Sequence, residues 1–124
     1  MKTDEIVKLS REALVDLIKF RLATGKLEDV YAGHERRRTP RWPFPGQVEV
    51  RPAEGDHGLP EFFDCRDLND TGMGMCGESA YAIGTILELS VHLPEMTLYG
   101  RAVVRYCMHT PRGHMMGVEF LFDD

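Results

Sequence analysis

ILELSVHL, residues 86–93, alternates without interruption from Leu87 onward. Leu87, Leu89, Val91 and Leu93 fall on one side, and Glu88, Ser90 and His92 on the other. A period of two places successive side chains on opposite faces of a strand, so this stretch predicts a strand with one face in a core. The same period recurs downstream in YGRAVVRYCMH (99–109) and HMMGVEFLF (114–122), which the turn TPRG (110–113) joins. Upstream, Gln47–Arg51 sets Val48 and Val50 on one side, Glu61–Leu68 is a second candidate strand, and Met73–Cys76 is a short third. Six short strands separated by Gly- and Pro-containing turns predict an all-β barrel or sandwich. Closure into a six-stranded antiparallel β-barrel is the better expectation, because it leaves fewer unpaired edges.

Before Gly33 the period is helical. Thr3 to Thr24 reads as one additional N-terminal α-helix, with Thr3 as cap, Asp4 and Glu5 in the first turn where the helix dipole favours acids, and Gly25 as the stop. Ile6, Ala13, Leu14, Leu17, Ile18 and Phe20 form its apolar stripe, opposite Lys8, Arg11, Glu12, Asp16 and Lys19. Such a stripe packs on its own domain or joins two copies in a homodimer. The chain thus divides into an amphipathic helix and linker, 1–33, and a β-barrel domain, 34–124.

Composition narrows the function. The chain has 124 residues and a net charge of −5, with 20 acidic against 15 basic side chains. That balance argues against a nucleic-acid polymer as partner, since long polyanions meet broad basic faces. No stretch approaches the roughly 20 apolar residues needed to span a bilayer, and the acidic N-terminus is not a signal sequence. A cytoplasmic protein with no membrane partner is expected. Cys65, Cys76 and Cys107 are odd in number and lack CxxC spacing, which suits reduced core thiols. Cys107 and His109 could share a strand face, but two ligands do not make a metal site. No serine, cysteine or histidine arrangement supplies a nucleophile, so neither catalysis nor a cofactor is expected.

Against the acidic background, ERRRTPRWPF (35–44) gathers four arginines into six positions, 36 to 41. Pro40 and Pro43 push Thr39 and Trp42 toward extended conformations, so the arginines fan out from a loop, as wrapping a small anion requires. The second polar stretch is RDLNDTGMGM (66–75), at the end of one strand and the start of the next. Alternation about Leu68 predicts that Asp67 and Asn69 share the outer face. Gly72 and Gly74 permit close approach of a ligand. Taken singly, a run of arginines fits a solvated face, and Asp67–Gly72 fits an Asx-type turn.

Together the two stretches resemble the PilZ domain, the bacterial receptor module for cyclic di-GMP. The family's RxxxR loop is matched by Arg37 and Arg41, with Arg38 as an additional arginine. Its (D/N)xSxxG element is matched by Asp67 and Gly72, with Asn69 where serine is expected. A shifted register through Asn69, Thr71 and Gly74 also fits with threonine for serine; Asp67 is preferred because it directly continues the alternating strand. MGVEF (116–120) is similar to the family's closing G-V-x-F strand.

The resemblance implies a cyclic di-GMP-binding effector whose ligand contacts are Arg37, Arg38, Arg41, Asp67, Asn69 and Gly72, with Arg36, Trp42, Thr71 and Gly74 as secondary candidates. It further implies an unidentified protein partner that the nucleotide-bound form regulates. The alternative is a PilZ-like interaction domain that no longer binds the nucleotide. The chemistry suits the first: an arginine fork grips a phosphate or the O6/N7 edge of guanine in bidentate fashion. Asp67 can accept from guanine N–H groups or brace an arginine, and Asn69 can donate as well as accept.

Overall fold

The computed structural model describes residues 5–24, 42–54 and 59–122, with side chains from residue 46 onward in the second segment. Its elements are β1 (Ile6–Lys8), α1 (Arg11–Ala23), β2 (Trp42–Pro52), β3 (Glu61–Leu68), β4 (Gly72–Gly77), β5 (Ile86–His92), β6 (Thr97–Thr110) and β7 (Gly113–Leu121). The strands pair in the order β6-β5-β2-β3-β4-β7, and β7 pairs back onto β6. Every one of these pairings is antiparallel. The six-stranded closed barrel expected from alternation is therefore the fold.

The inward set follows the same logic. Leu87, Leu89, Val91 and Leu93 are all buried, with Val48, Val50, Phe63, Leu98, Val104 and Met116 facing them. β2 starts at Trp42 rather than Gln47, in spite of two prolines. Between Pro43 and Gly46 its register against β3 shifts, and its pairing to β5 begins only at Gln47. The prolines therefore occupy a stretch of strand with one partner and a bulge, where a missing N–H is tolerated.

The N-terminal segment corrects the expected helix. Ile6–Lys8 is a seventh strand, parallel to β6, with Ile6 beside Thr97 and Lys8 beside Tyr99. β7 takes the same edge of β6 from Arg101 onward, so β1 and β7 share that edge in succession. The helix starts at Arg11 because Ser10 has extended dihedrals and its hydroxyl accepts the Ala13 N–H at 3.0 Å. A serine cap outcompetes continuation of the helix toward the N-terminus. At the other end the Thr24 hydroxyl donates to the Phe20 carbonyl at 2.9 Å. The expected cap Thr3, the stop Gly25 and the 33/34 boundary lie outside the described residues.

The helix packs on its own barrel, through a narrower stripe than its sequence suggests. Leu14, Leu17 and Arg21 are the buried positions of α1, one per turn. Leu9, Leu14 and Leu17 join the barrel core, with Ala13 and Ile18 packed at its margin. Ile6, at 69% exposure, and Phe20, at 50%, lie outside it. At the end of the stripe Arg21 makes a bidentate pair with Glu95, Nε to Oε2 at 2.8 Å and Nη2 to Oε1 at 2.6 Å. Glu95 sits in the β5–β6 turn, which closes with Leu93 N–H donating to the Met96 carbonyl. This fork fixes α1 to the rim of the barrel with the geometry in which arginine and carboxylate bind most strongly.

Cys65 is buried, and burial pushes its thiol up to about 12, with the Asp67 charge adding to the shift and Arg21 opposing it. It fits the expected core thiol, whereas Cys76 and Cys107 are only half-buried; all three are free. No helix among the described residues is long and apolar enough to cross a membrane.

Removing one partner of a buried ion pair leaves the other charge without compensation. Arg21→Ala is therefore expected to lower stability by about 3 kcal/mol, whereas Arg21→Met with Glu95→Leu should recover most of the loss. Urea denaturation followed by circular dichroism measures both; equal loss in the single and double variants would refute the pairing as the anchor.

Candidate functional site

The β3–β4 turn is built around Asn69. Its side-chain Oδ1 accepts from the Thr71 N–H at 2.8 Å, the Thr71 hydroxyl at 2.8 Å and the Gly72 N–H at 2.9 Å. Its own N–H donates to the Gly72 carbonyl at 3.0 Å. Asn69 is only 7% exposed. Asn69 therefore lies nearly buried in the turn at the edge of the outer wall and does not stand free beside Asp67. Its carbonyl oxygen is fully occupied as the acceptor of an Asx turn, and only its amide nitrogen remains for anything else.

Asp67 does reach the outer face, for a reason that alternation alone does not contain. Phe63 and Cys65 point inward, so strict alternation would send Asp67 inward as well. A register shift between Cys65 and Asp67 makes Arg66 an extra residue in β3. The bulge exchanges the faces, so that Leu68 is buried and Asp67 is outside. There the Asp67 Oδ1 accepts the Gly74 N–H at 3.1 Å.

Register lays out a row across the outer wall. Pro43 pairs with Asp67, Asp67 with Gly74, Gly74 with Gly117, and Gly117 with Tyr106. The two glycines floor this row. A Cβ at Gly74 would lie 2.8 Å from Asp67 Oδ1, and one at Gly117 would lie 2.0 Å from a ring carbon of Tyr106. The carboxylate and the phenol ring therefore lean over bare backbone from opposite ends. A second bulge, between Val104 and Tyr106, makes Arg105 the extra residue of β6. Arg105 Nε donates to Glu119 Oε1 at 2.6 Å, with both side chains more than half exposed.

Between these groups lies a groove of about 310 Å³, lined by Asn69, Thr71, Gly72, Met73, Arg105, Tyr106, Gly117, Val118 and Glu119. Three expected site residues, Asn69, Thr71 and Gly72, line it; Asp67 and Gly74 lie beside it on the row. Arg36, Arg37, Arg38 and Arg41 lie outside the described residues, as does the Trp42 side chain. The Trp42 backbone pairs with Leu68, so β2 begins next to the Asp67 end of the row. Arg105, Tyr106, Gly117 and Glu119 were not expected from sequence. The available signal was a glycine inside a strand pattern, in GMGM and again in MGVEF, which marks a close approach to the backbone.

A closed barrel with a polar turn and glycines on its outer wall, and a helix seated on one rim, defines a small β-barrel module. The family model for the PilZ domain matches residues 35–124, and the chain belongs to the PilZ domain family, whose members are receptor and effector modules rather than enzymes. Among solved structures, the Bacillus subtilis inhibitor of motility (MotI/DgrA) is similar to this chain with a TM-score of 0.59 and 21% sequence identity, over 71% of this chain and 44% of that one. The chain thus spans less than half the length of that protein, and the likeness is one of fold. No curated protein matches the chain.

Because Oδ1 of Asn69 satisfies three donors, Asn69→Leu is expected to cost about 2 kcal/mol, while Asn69→Asp, which keeps an acceptor at the same place, should stay within about 0.5 kcal/mol of the parent. Chemical denaturation of the two variants decides the matter. Equal stability of Asn69→Leu and the parent would show that the turn does not depend on this side chain.

Proposed function

We propose that the chain is a receptor for cyclic di-GMP that holds the nucleotide on the outer barrel wall, between Arg36–Arg41 and the row Asp67–Gly74–Gly117. The observation that carries this reading is the register of β2 on β3. Trp42 lies beside Leu68 and Pro43 beside Asp67, so the residue that follows Arg41 in sequence is one strand away from the second half of the family pattern, which supports this reading. Arg37, Arg38 and Arg41 supply the forks for phosphates and guanine edges, with Arg36 as a further cation. Asp67 braces an arginine or accepts from a guanine. Gly72 lets β4 pack closely on Val118 and Gly74 makes room for the Asp67 carboxylate, so that the turn presents its polar groups to the ligand, and Trp42 and Thr71 flank it.

Nucleotide binding at this place changes the surface that the arginine stretch and the barrel present together, and that change acts on a partner protein. The similar protein described as an inhibitor of motility suits such an effector role. One observation favours the second reading, a PilZ domain that acts by protein contacts alone: the Asn69 oxygen, placed where the family has a serine, is already occupied by its own turn.

Calorimetric titration separates the two. Cyclic di-GMP is expected to bind with a dissociation constant at or below the micromolar range, about −8 kcal/mol or better. Arg37→Ala, Arg41→Ala and Asp67→Ala should each weaken binding by about 2–5 kcal/mol. Arg51→Ala, on the outer face of β2 away from the row, should leave binding unchanged. Absence of heat at saturating nucleotide would favour the contact-only reading.

A further inference from the structure

We infer that the groove beside the β3–β4 turn is a guanine-selective subsite, read by Glu119 and Arg105 against the ring of Tyr106. This rests on the cyclic di-GMP reading for the source of the base, but on different residues. Glu119 occupies the variable position of the closing G-V-x-F strand, and Arg105 and Tyr106 lie outside both family motifs.

Three features combine. First, Tyr106 lies across Gly117, whose missing side chain is what lets the ring settle there. An aromatic face at a groove wall stacks any base without choosing among them. Second, Arg105 donates only its Nε to Glu119 Oε1 among the described residues, at 2.6 Å. That single bond sets the two side chains next to one another and leaves Oε2 of Glu119 as an acceptor and the two Nη groups of Arg105 as donors. Third, the amide nitrogen of Asn69 makes no bond within its turn, and Asn69 lines the same groove.

Acceptor and donor side by side in a groove that an aromatic ring also lines form a pattern that matches one base. Guanine presents N1–H and N2–H as donors and O6 and N7 as acceptors, so its donors meet the carboxylate while its acceptors meet the guanidinium or the amide. Adenine presents an amino donor where guanine has O6, and an unprotonated N1 where guanine has N1–H. Its amino group would face the guanidinium donors, and its N1 lone pair would face the Glu119 carboxylate. A site built to hydrogen-bond one edge rejects the other because its own polar groups are then left unpaired. The volume, about 310 Å³, lies at the small end of ligand sites and suits one base rather than a dinucleotide.

Titration of the full chain with 5′-GMP and 5′-AMP, followed by amide NMR shifts of Gly72, Tyr106 and Gly117, tests the subsite without the dinucleotide. The expected result is saturable shifts at these amides, with GMP preferred by about tenfold or more. Glu119→Gln should abolish that preference, and Tyr106→Leu should weaken both nucleotides together. Glu119 is exposed, so an unchanged denaturation midpoint verifies that its variant folds. Equal affinity for GMP and AMP, a preference that survives Glu119→Gln, or shifts confined to other amides would overturn the inference. A parallel titration with cyclic di-GMP separates the two readings. Dinucleotide binding without a GMP preference overturns the subsite and keeps the receptor, whereas a GMP preference without dinucleotide binding supports the subsite and sinks the receptor. Failure of both titrations overturns both.

Discussion

Six strands close on themselves only if they bend and coil more than a regular ladder allows, and β-bulges supply that bend. In this barrel the irregularities fall at Pro43–Gly46 in β2, at Arg66 in β3 and at Arg105 in β6. All three border one cross-strand row, Pro43–Asp67–Gly74–Gly117–Tyr106. The bulge at Arg66 carries the most weight, because it exchanges the inner and outer faces of β3. Before it Phe63 and Cys65 fill the core; after it Leu68 does, and Asp67 is freed to the outside. Without that one extra residue a carboxylate would be buried and a leucine exposed, and neither core nor site would exist in its present form.

A second constraint acts at the rim. The Arg21–Glu95 fork holds α1 to the β5–β6 turn, and pairing with Leu68 holds Trp42 to β3. Residues Arg21 and Trp42, which flank the segment 25–41 in sequence, are thus both held to the barrel. Cys65 feels both regions: burial pushes its thiol up, the Asp67 charge adds to the shift and Arg21 opposes it.

Much of this was legible in the sequence, for identifiable reasons. Strands with one buried face announce themselves by a period of two, and Glu61–Cys65 and Leu87–Val91 behave as that period requires. β1 was not legible, because three residues carry no period. The helix start was missed because Thr3 and Ser10 are both competent caps, and only the strand pairing of Ile6–Lys8 decides between them. A bulge leaves almost no trace in sequence, so the outward direction of Asp67 followed from Leu68 while the conflict with Cys65 went unseen. Tyr106 and Glu119 lie far along the chain from the family motifs, and register alone carries them to the Asn69 turn.

The central proposal is that the outer wall at the Asp67 end of the row, together with the arginines of residues 36–41, receives cyclic di-GMP. Hydrogen exchange across the whole chain, with and without saturating nucleotide, addresses it most directly. The account predicts slowed exchange in segments 35–45 and 69–72, with no change over the outer row Glu49–Ser90–Tyr99 on the remaining wall. Protection confined to β5 and the start of β6, or unchanged exchange throughout segments 35–45 and 69–72 at saturation, would contradict it.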